Sequence, residues 1–342
     1  MNQDFLLKNY DYTLPNELIA KYPSKTKEEA RLLIYERKNN KITHTSFLHL
    51  QDFLPECAIV FNDTKVIKAR IYGHKQSGGK IELFLHQSVL NSKSPLFIVQ
   101  IKGRVKQNEI LHFENNLKAR VVECLENGFK KVCFLQNDEI LNTKKLYALL
   151  DIIGHIPLPP YIKRADEKAD ESDYQSIFAK NLGAIAAPTA SLHFSKNLIE
   201  KLEKKHEIFH LTLHIGAGTF KNVECENIQE HTMHSEFFSI PKKTCELINS
   251  KKAILGIGTT ATRSIEYYAR TGLESGFCDL FLHPNNKPIR QNYLLTNFHL
   301  PKSTLIMLVS AFIGREKCIE LYELAIKEKY RFYSYGDAML IL

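Results

Sequence analysis

Between Ala58 and Gln136 seven short apolar runs succeed one another without a helical interruption. They are A-I-V-F, A-R-I-Y-G, K-I-E-L-F-L, L-F-I-V-Q-I, E-I-L-H-F, K-A-R-V-V-E-C-L and K-K-V-C-F-L. Several alternate apolar and polar side chains, the period of strands that bury one face. Turn signals at Ser77-Gly78-Gly79 and Asn127-Gly128 punctuate the series. A strand about every ten residues, with such turns between, predicts a small closed antiparallel barrel, placed at residues 65–138.

The flanking sequence has a different rhythm. Pro15 to Lys21 reads as a helix, and Asn142 to Ile153 as another, stopped by Gly154 and three nearby prolines. Ser195 suits the N-cap of an amphipathic Lys196–Lys205 helix, followed by an apolar strand from Ile208 to Ile215. Pro241 opens a helix to Ser250. A strand Ala253–Ile257 then runs through Gly258 into a helix Thr260–Arg270. Ser303 caps a further helix, Glu316–Lys329 forms the last, and Ala338–Leu342 is a terminal strand. Alternating strands and helices predict an α/β fold, a layered α/β domain with a largely parallel sheet. At 342 residues, two domains are expected. The reading is a discontinuous α/β catalytic domain (1–64 and 139–342) with the antiparallel β-barrel domain inserted into it.

Composition narrows the function classes. Lys and Arg outnumber Asp and Glu by 46 to 38, a mild excess that permits a polyanionic partner without requiring one. The seven cysteines are scattered singly, with no C-x-x-C pair, which argues against a disulfide framework and a zinc knuckle and favours a reducing compartment. The N-terminal residues do not resemble a signal peptide. The longest apolar run, Leu305 to Ile313, is far short of the roughly 20 residues a membrane span needs. A cytoplasmic, membrane-free protein is the expectation.

Chemistry concentrates in a few segments. A-A-P-T-A-S-L-H-F (Ala186 to Phe194), L-H-I-G-A-G-T-F (Leu213 to Phe220) and E-H-T-M-H-S-E (Glu230 to Glu236) crowd imidazoles, hydroxyls, carboxylates and glycines together. Gly216 and Gly218 bracket one alanine, so backbone N–H groups there can approach a ligand closely. I-L-G-I-G-T-T-A-T-R (Ile254 to Arg263) reads as strand, glycine, hydroxyls, helix. Such a helix start suits a carboxylate or phosphate, with Arg263 one turn on. It reads equally as a plain turn with Thr259 as N-cap, and it lacks the G-x-G-x-x-G dinucleotide pattern. His231 and His234 have neither the spacing nor a third partner for zinc, so no metal is expected. General acid–base work suits them better. L-L-T-N-F-H-L-P-K-S-T places Asn297 and His299 in a loop entering a helix, and Y-R-F-Y-S-Y-G-D-A-M interleaves aromatics with Arg331 and Asp337. Basic and aromatic side chains so interleaved can stack bases and contact phosphates, or simply fill a core. Lys65, Lys68, Arg70, Lys75 and Lys80 form a basic stripe into the barrel that could track a phosphate backbone or be a solvated face.

These segments resemble the S-adenosylmethionine:tRNA ribosyltransferase-isomerases of queuosine biosynthesis, almost end to end. The similarity also runs through Y-D-Y-T-L-P-N-E-L-I-A (Tyr10 to Ala20), V-F-N-D-T-K-V-I (Val60 to Ile67), G-G-K-I-E (Gly78 to Glu82), G-H-I-P-L-P-P-Y-I (Gly154 to Ile162) and Y-S-Y-G-D-A-M-L-I (Tyr333 to Ile341). Lys65 stands where that family usually has Arg, Lys68 and Asn222 replace prolines, Ser191 a glycine and Phe277 a tryptophan.

The resemblance implies an α/β domain interrupted by a β-barrel, matching the pattern above. It implies a transferase that takes the ribosyl moiety of S-adenosylmethionine to 7-aminomethyl-7-deazaguanine, already at the wobble position of a tRNA with a GUN anticodon. Isomerisation gives epoxyqueuosine, and adenine and methionine leave. S-adenosylmethionine is then a consumed substrate, and no cofactor is needed. A monomer is expected. The catalytic candidates are His193, His231, His234 and His299, one of which would take the proton from the carbon beside the sulfonium. Asp63, Glu230, Glu236 and Asp337 are the fallback bases, and Asp279 or Glu230 could assist adenine departure. The substrate-binding candidates are Asn62, Asp63, Pro188, Thr189, Phe194, His214, Gly216, Gly218, Thr219, Phe220, Glu230, Glu236, Gly258, Thr259, Thr260, Arg263, Asn297 and Asp337. Within this set the methionyl carboxylate is expected at Thr259–Thr260 with Arg263. The candidates for tRNA are Lys65, Lys68, Arg70, Lys80 and Arg331. Two rival readings are an S-adenosylmethionine-dependent RNA methyltransferase, which expects an early glycine-rich turn absent here, and a non-catalytic RNA-binding module, which leaves the imidazole cluster without a purpose.

Overall fold

The computed structural model describes residues 2–89, 95–126, 128–220 and 223–342, the side chains of Ala217 and Phe220 excepted. Asn127 and Asn222, singled out in the sequence, lie outside the described residues. A nine-stranded sheet forms the larger layer. Its strands run in the order Ser275–Cys278, Glu236–Ser239, Ile208–Leu213, Ala58–Asn62, Ile254–Ile257, Tyr293–Asn297, Ala338–Ile341, Arg31–Glu36 and Lys41–Ser46.

The expected parallel sheet holds at the centre and in one further pair, Arg31–Glu36 with Ala338–Ile341. Ile208–Leu213, Ala58–Asn62, Ile254–Ile257 and Tyr293–Asn297 are mutually parallel. Ala338–Ile341 runs antiparallel to Tyr293–Asn297, and both outer flanks are antiparallel too. The reason is connection length. The central strands are joined by long crossovers, whereas Arg31–Glu36 and Lys41–Ser46 are joined by a tight turn that only an antiparallel pair accommodates. Burial follows suit: Ala58–Asn62 and Ile254–Ile257 are buried at every position, as strands covered on both faces must be.

The second sheet closes on itself. Arg70–Lys75, Lys80–Val89, Leu96–Lys102, Ile110–Phe113, Leu117–Cys124 and Lys130–Gln136 form an antiparallel barrel, sealed because Lys130–Gln136 pairs with both Leu96–Lys102 and Leu117–Cys124. Alternation does the sorting. Ile81, Leu83 and Leu85 point into the barrel core while Lys80 lies exposed, each buried aliphatic side chain adding about 1.5–3 kcal/mol. Leu146, Leu149 and Leu150, on helix Thr143–Ile153, pack against the same core. Asn142 starts that helix by accepting from the Lys145 N–H at 2.9 Å.

Two local expectations fail. Pro15–Lys21 contains only a short 3-10 turn, Asn16–Leu18, too brief for an α-helix between two prolines. Thr259 is not an N-cap: the helix runs Gly258–Thr271, and Ile257 precedes it with no side-chain cap. Gly258 holds φ +83, a left-handed conformation that glycine adopts cheaply, and this swings the chain directly from strand into helix.

Candidate active site

Asn62, Leu213, Ile257 and Asn297 end the four parallel strands along one edge of the sheet. In open α/β sheets ligands bind outside this carboxyl edge, and a cleft lies there. Pro188, Thr189, Thr219, Gly258, Thr259, Thr260, Asn297 and His299 line it. Four sequence segments therefore meet at one place. Thr259 and Thr260 occupy the first turn of Gly258–Thr271, whose first N–H groups lack partners within the helix and favour an anion. Asn62 is fully buried below and donates to Thr260 Oγ1 at 3.0 Å, fixing that turn from the neighbouring strand.

Asn297 is held on several sides. Its amide donates to the Tyr333 carbonyl at 3.2 Å and contacts His193 Nε2 at 3.2 Å, while its oxygen accepts from Thr189 Oγ1 at 3.1 Å. Tyr333 itself carries φ +71, a conformation that costs a non-glycine residue of order 1 kcal/mol and is found where surroundings over-determine it. Tyr161 packs against its ring at 4.5 Å, tilted by 48°, and bonds Ser334 Oγ at 2.7 Å.

The four candidate histidines divide. His299 lines the cleft, its Nε2 bound to Thr296 Oγ1 at 2.8 Å. Burial pushes its pKa down to about 3, so the ring is neutral at pH 7. His231 and His234 line an adjoining pocket that shares Thr219, Thr259 and Thr260 with the cleft. His231 is half-buried, and partial desolvation, then His234, lower its pKa below the ordinary 6.5. His193 does not join them. It lies behind Asn297, with its ring 4.9 Å from Phe47, on a separate cavity with Lys25, Lys27 and Asp173. Desolvation, with Arg331 and Lys27, drives its pKa to about 3. A neutral imidazole that contacts the Asn297 amide orients that residue and does not reach the cleft.

Arg263 is also placed otherwise than expected. Its guanidinium pairs with Glu236 and donates to the carbonyls of Leu280 at 3.1 Å, Cys278 at 3.0 Å and His234 at 3.3 Å. With those donors committed it holds the wall, not a methionyl carboxylate. Glu236 in turn accepts from the Gly216 N–H at 2.7 Å, anchoring the glycine loop. A carboxylate so paired is no base. His214 and Gly216 face a third cavity towards the barrel, and Gly218 borders the His231 pocket.

Other candidates are structural. Phe194 is fully buried against Phe47 and Phe61. Asp63 accepts from Thr212 Oγ1 at 2.6 Å and Asn181 at 3.1 Å. Asp337 accepts from the backbone N–H groups of Arg31 at 2.9 Å and Arg331 at 2.7 Å, tying strand ends together. Glu230 and Asp279 are exposed and line none of these cavities. The Phe220 side chain lies outside the described residues. Tyr330, Phe332 and Tyr335 are core, in the loop that leads into the terminal strand Ala338–Ile341. Of the basic stripe, Lys68 bonds Glu171 at 3.1 Å, Arg70 faces Glu82 at 3.3 Å and Lys75 lies 3.8 Å from Glu109, whereas Lys65 and Lys80 are exposed. Arg331 is tied to Ser24 and lies 3.6 Å from Asp337. Tyr161, Tyr174 and Ser334, which the sequence reading did not single out, also line the cleft.

Comparison with known proteins agrees with this architecture. A profile of the family described as queuosine biosynthesis protein matches residues 7–341. A protein of Campylobacter jejuni named S-adenosylmethionine:tRNA ribosyltransferase-isomerase is 75% identical over 342 residues, covering 100% of both chains. One of the same name from Sulfurimonas denitrificans is 52% identical, covering 100% of this chain and 99% of its own. The crystal structure of an S-adenosylmethionine tRNA ribosyltransferase from Thermotoga maritima is similar at 30% identity and TM-score 0.53, over 98% of this chain and 100% of that one.

Proposed function

The chain belongs to the queuosine biosynthesis protein family and is an S-adenosylmethionine:tRNA ribosyltransferase-isomerase, and on that premise we propose its substrates and the division of labour in its cleft. The acceptor is the aminomethyl group of 7-aminomethyl-7-deazaguanine at the wobble position of a tRNA with a GUN anticodon. The products are epoxyqueuosine in the tRNA, adenine and methionine. S-adenosylmethionine is consumed, so no resident cofactor or metal takes part. The enzyme acts as a monomer in the cytoplasm.

One observation carries this reading. The partnerless N–H groups of the Gly258–Thr271 helix open on the same cleft as the buried neutral His299, with His231 and His234 in the adjoining pocket. An amino acid carboxylate fits the helix start, with Thr259 and Thr260 as hydrogen-bonding hydroxyls. That puts the sulfonium within a site that holds imidazole bases. The positive sulfur acidifies its neighbouring carbons, so a positioned imidazole can remove a proton there. His299 is poorly suited to that, because burial disfavours its protonated form. It serves better as a hydrogen-bond partner to a polar substrate group. The more accessible pair His231 and His234 is the assigned source of the base.

The test is product analysis. The protein is incubated with S-adenosylmethionine and tRNA carrying the aminomethyl-deazaguanine, and the small molecules are separated. Adenine and methionine in equal amounts are expected. S-adenosylhomocysteine, or no turnover, would refute the assignment.

A further inference from the structure

Beside the catalytic cleft, and sharing Ile215 with it, the third cavity opens between the sheet and the barrel strand Lys80–Val89. Its sheet wall is a ladder of rings. Phe237 and Phe277 are direct cross-strand partners, with ring centroids 5.8 Å apart in an edge-on arrangement. The His214 N–H donates to the Phe237 carbonyl at 2.9 Å, and the imidazole stacks on the Phe237 ring at 5.9 Å and 22°. Alternation along Glu236–Ser239 buries Phe238 completely yet leaves Phe237 37% exposed, and Phe277 is 43% exposed. Leu182, 46% exposed, completes an apolar surface with no covering element among the described residues.

We propose that this ladder is the stacking platform for a loop base of the tRNA adjacent to the modified one. The inference rests on the tRNA reading above and extends it. The reacting base must share the catalytic cleft with the donor, so the neighbouring cavity falls to a flanking nucleotide of the same single-stranded loop. Aromatic faces left open to solvent are what an unstacked base occupies, since every base has a π-face. The surroundings favour nucleic acid over an apolar protein segment. Ser88 and Ser235 offer hydroxyl groups to base edges. Exposed Lys65 is the register partner of Leu182, which sets a cation at the rim where a phosphate would pass.

The chain contains no tryptophan, so F277W gives a protein whose only indole sits on the platform. An anticodon stem-loop RNA should quench its emission with the midpoint seen for RNA binding by anisotropy. The same stem-loop with an abasic residue flanking the wobble position, on one side, should bind without quenching. In parallel, F237A/F277A should raise KM for tRNA about ten-fold or more, with KM for S-adenosylmethionine unchanged. The abasic RNA should lose nothing further in that double variant, because the partner surface is already gone. RNA binding without any emission change, or equal rises in both KM values, overturns the platform while leaving the tRNA reading intact. If the unchanged protein binds no RNA, both fall together.

Discussion

Glu236 and Arg263 form an ion pair inside the cleft wall, their side chains 7% and 5% exposed. Arg263 belongs to the helix that opens on the cleft, and Glu236 starts the strand that borders it and grips Gly216. One carboxylate thus fixes the glycine loop relative to the helix start. Removing one partner strands a buried charge, which typically costs about 3–5 kcal/mol. R263M should therefore lower the midpoint of urea unfolding sharply, and E236L/R263M should recover part of that loss. Equal stability of R263M and the parent would mean the pair carries no such charge.

His193 and His299 give folding a defined pH dependence. Both are neutral in the folded chain, with pKa values near about 3, against an ordinary 6.5 when exposed. The unfolded chain therefore binds more protons between those values. Stability is full above about pH 6.5 and falls as pH drops towards 3, by up to about 1.4 kcal/mol per pH unit for each ring. H193N and H299N should each flatten that slope in urea titrations run between pH 4 and 7. An unchanged slope would show that the rings are not held neutral.

Catalysis should report a different group. His231 titrates below 6.5, and on the assignment proposed above the neutral form of His231 or His234 is the base, so kcat should fall as pH drops through that region. H231A or H234A should lose about 10²–10⁴-fold in turnover while donor binding persists. In that variant the acid limb should vanish. H299A should be slower too, yet keep the limb. If both H231A and H234A keep near-full turnover, neither is the base.

A smaller change should copy the larger one. A Cβ at Gly218 would lie 2.3 Å from the His234 ring, nearer than any real Cβ contact. G218A should therefore displace that imidazole and reduce kcat as H234A does, with a melting temperature close to the parent's. Normal turnover would show that the ring has room to move.

Binding of tRNA should depend on the exposed members of the basic stripe. K65A/K80A should reduce the salt slope of tRNA affinity by about one to two, because each lost phosphate contact removes a little under one. K68A/R70A should change it less, since both side chains face carboxylates of the protein itself. A reversed order would place the RNA elsewhere.

Much of this was legible beforehand, and for identifiable reasons. The barrel announced itself because its strands bury one face and so alternate, as Ile81, Leu83 and Leu85 do. Caps at Ser195 and Ser303 were readable because a side-chain oxygen accepting a backbone N–H is a local event. The antiparallel flanks were not, because strand direction depends on where a chain returns, which composition does not encode. Site residues were legible by segment but not by side. His193 and Thr189 lie on one short 3-10 turn, yet Thr189 reaches the cleft and His193 points behind Asn297. Likewise nothing in the order of residues reveals that Arg263 is consumed by Glu236, a partner 27 positions away.

The strand Ala338–Ile341 lies inside the sheet, between Tyr293–Asn297 and Arg31–Glu36. During synthesis the barrel, built from neighbours in sequence, can assemble while later residues are still being made. The large sheet cannot. Until residues 338–341 have left the ribosome, Arg31–Glu36 and Lys41–Ser46 have no place in it, and the buried faces of Leu33 and Ile34 stay uncovered on that side. A chain that stalls just short of this strand therefore carries a finished barrel beside an open, aggregation-prone edge.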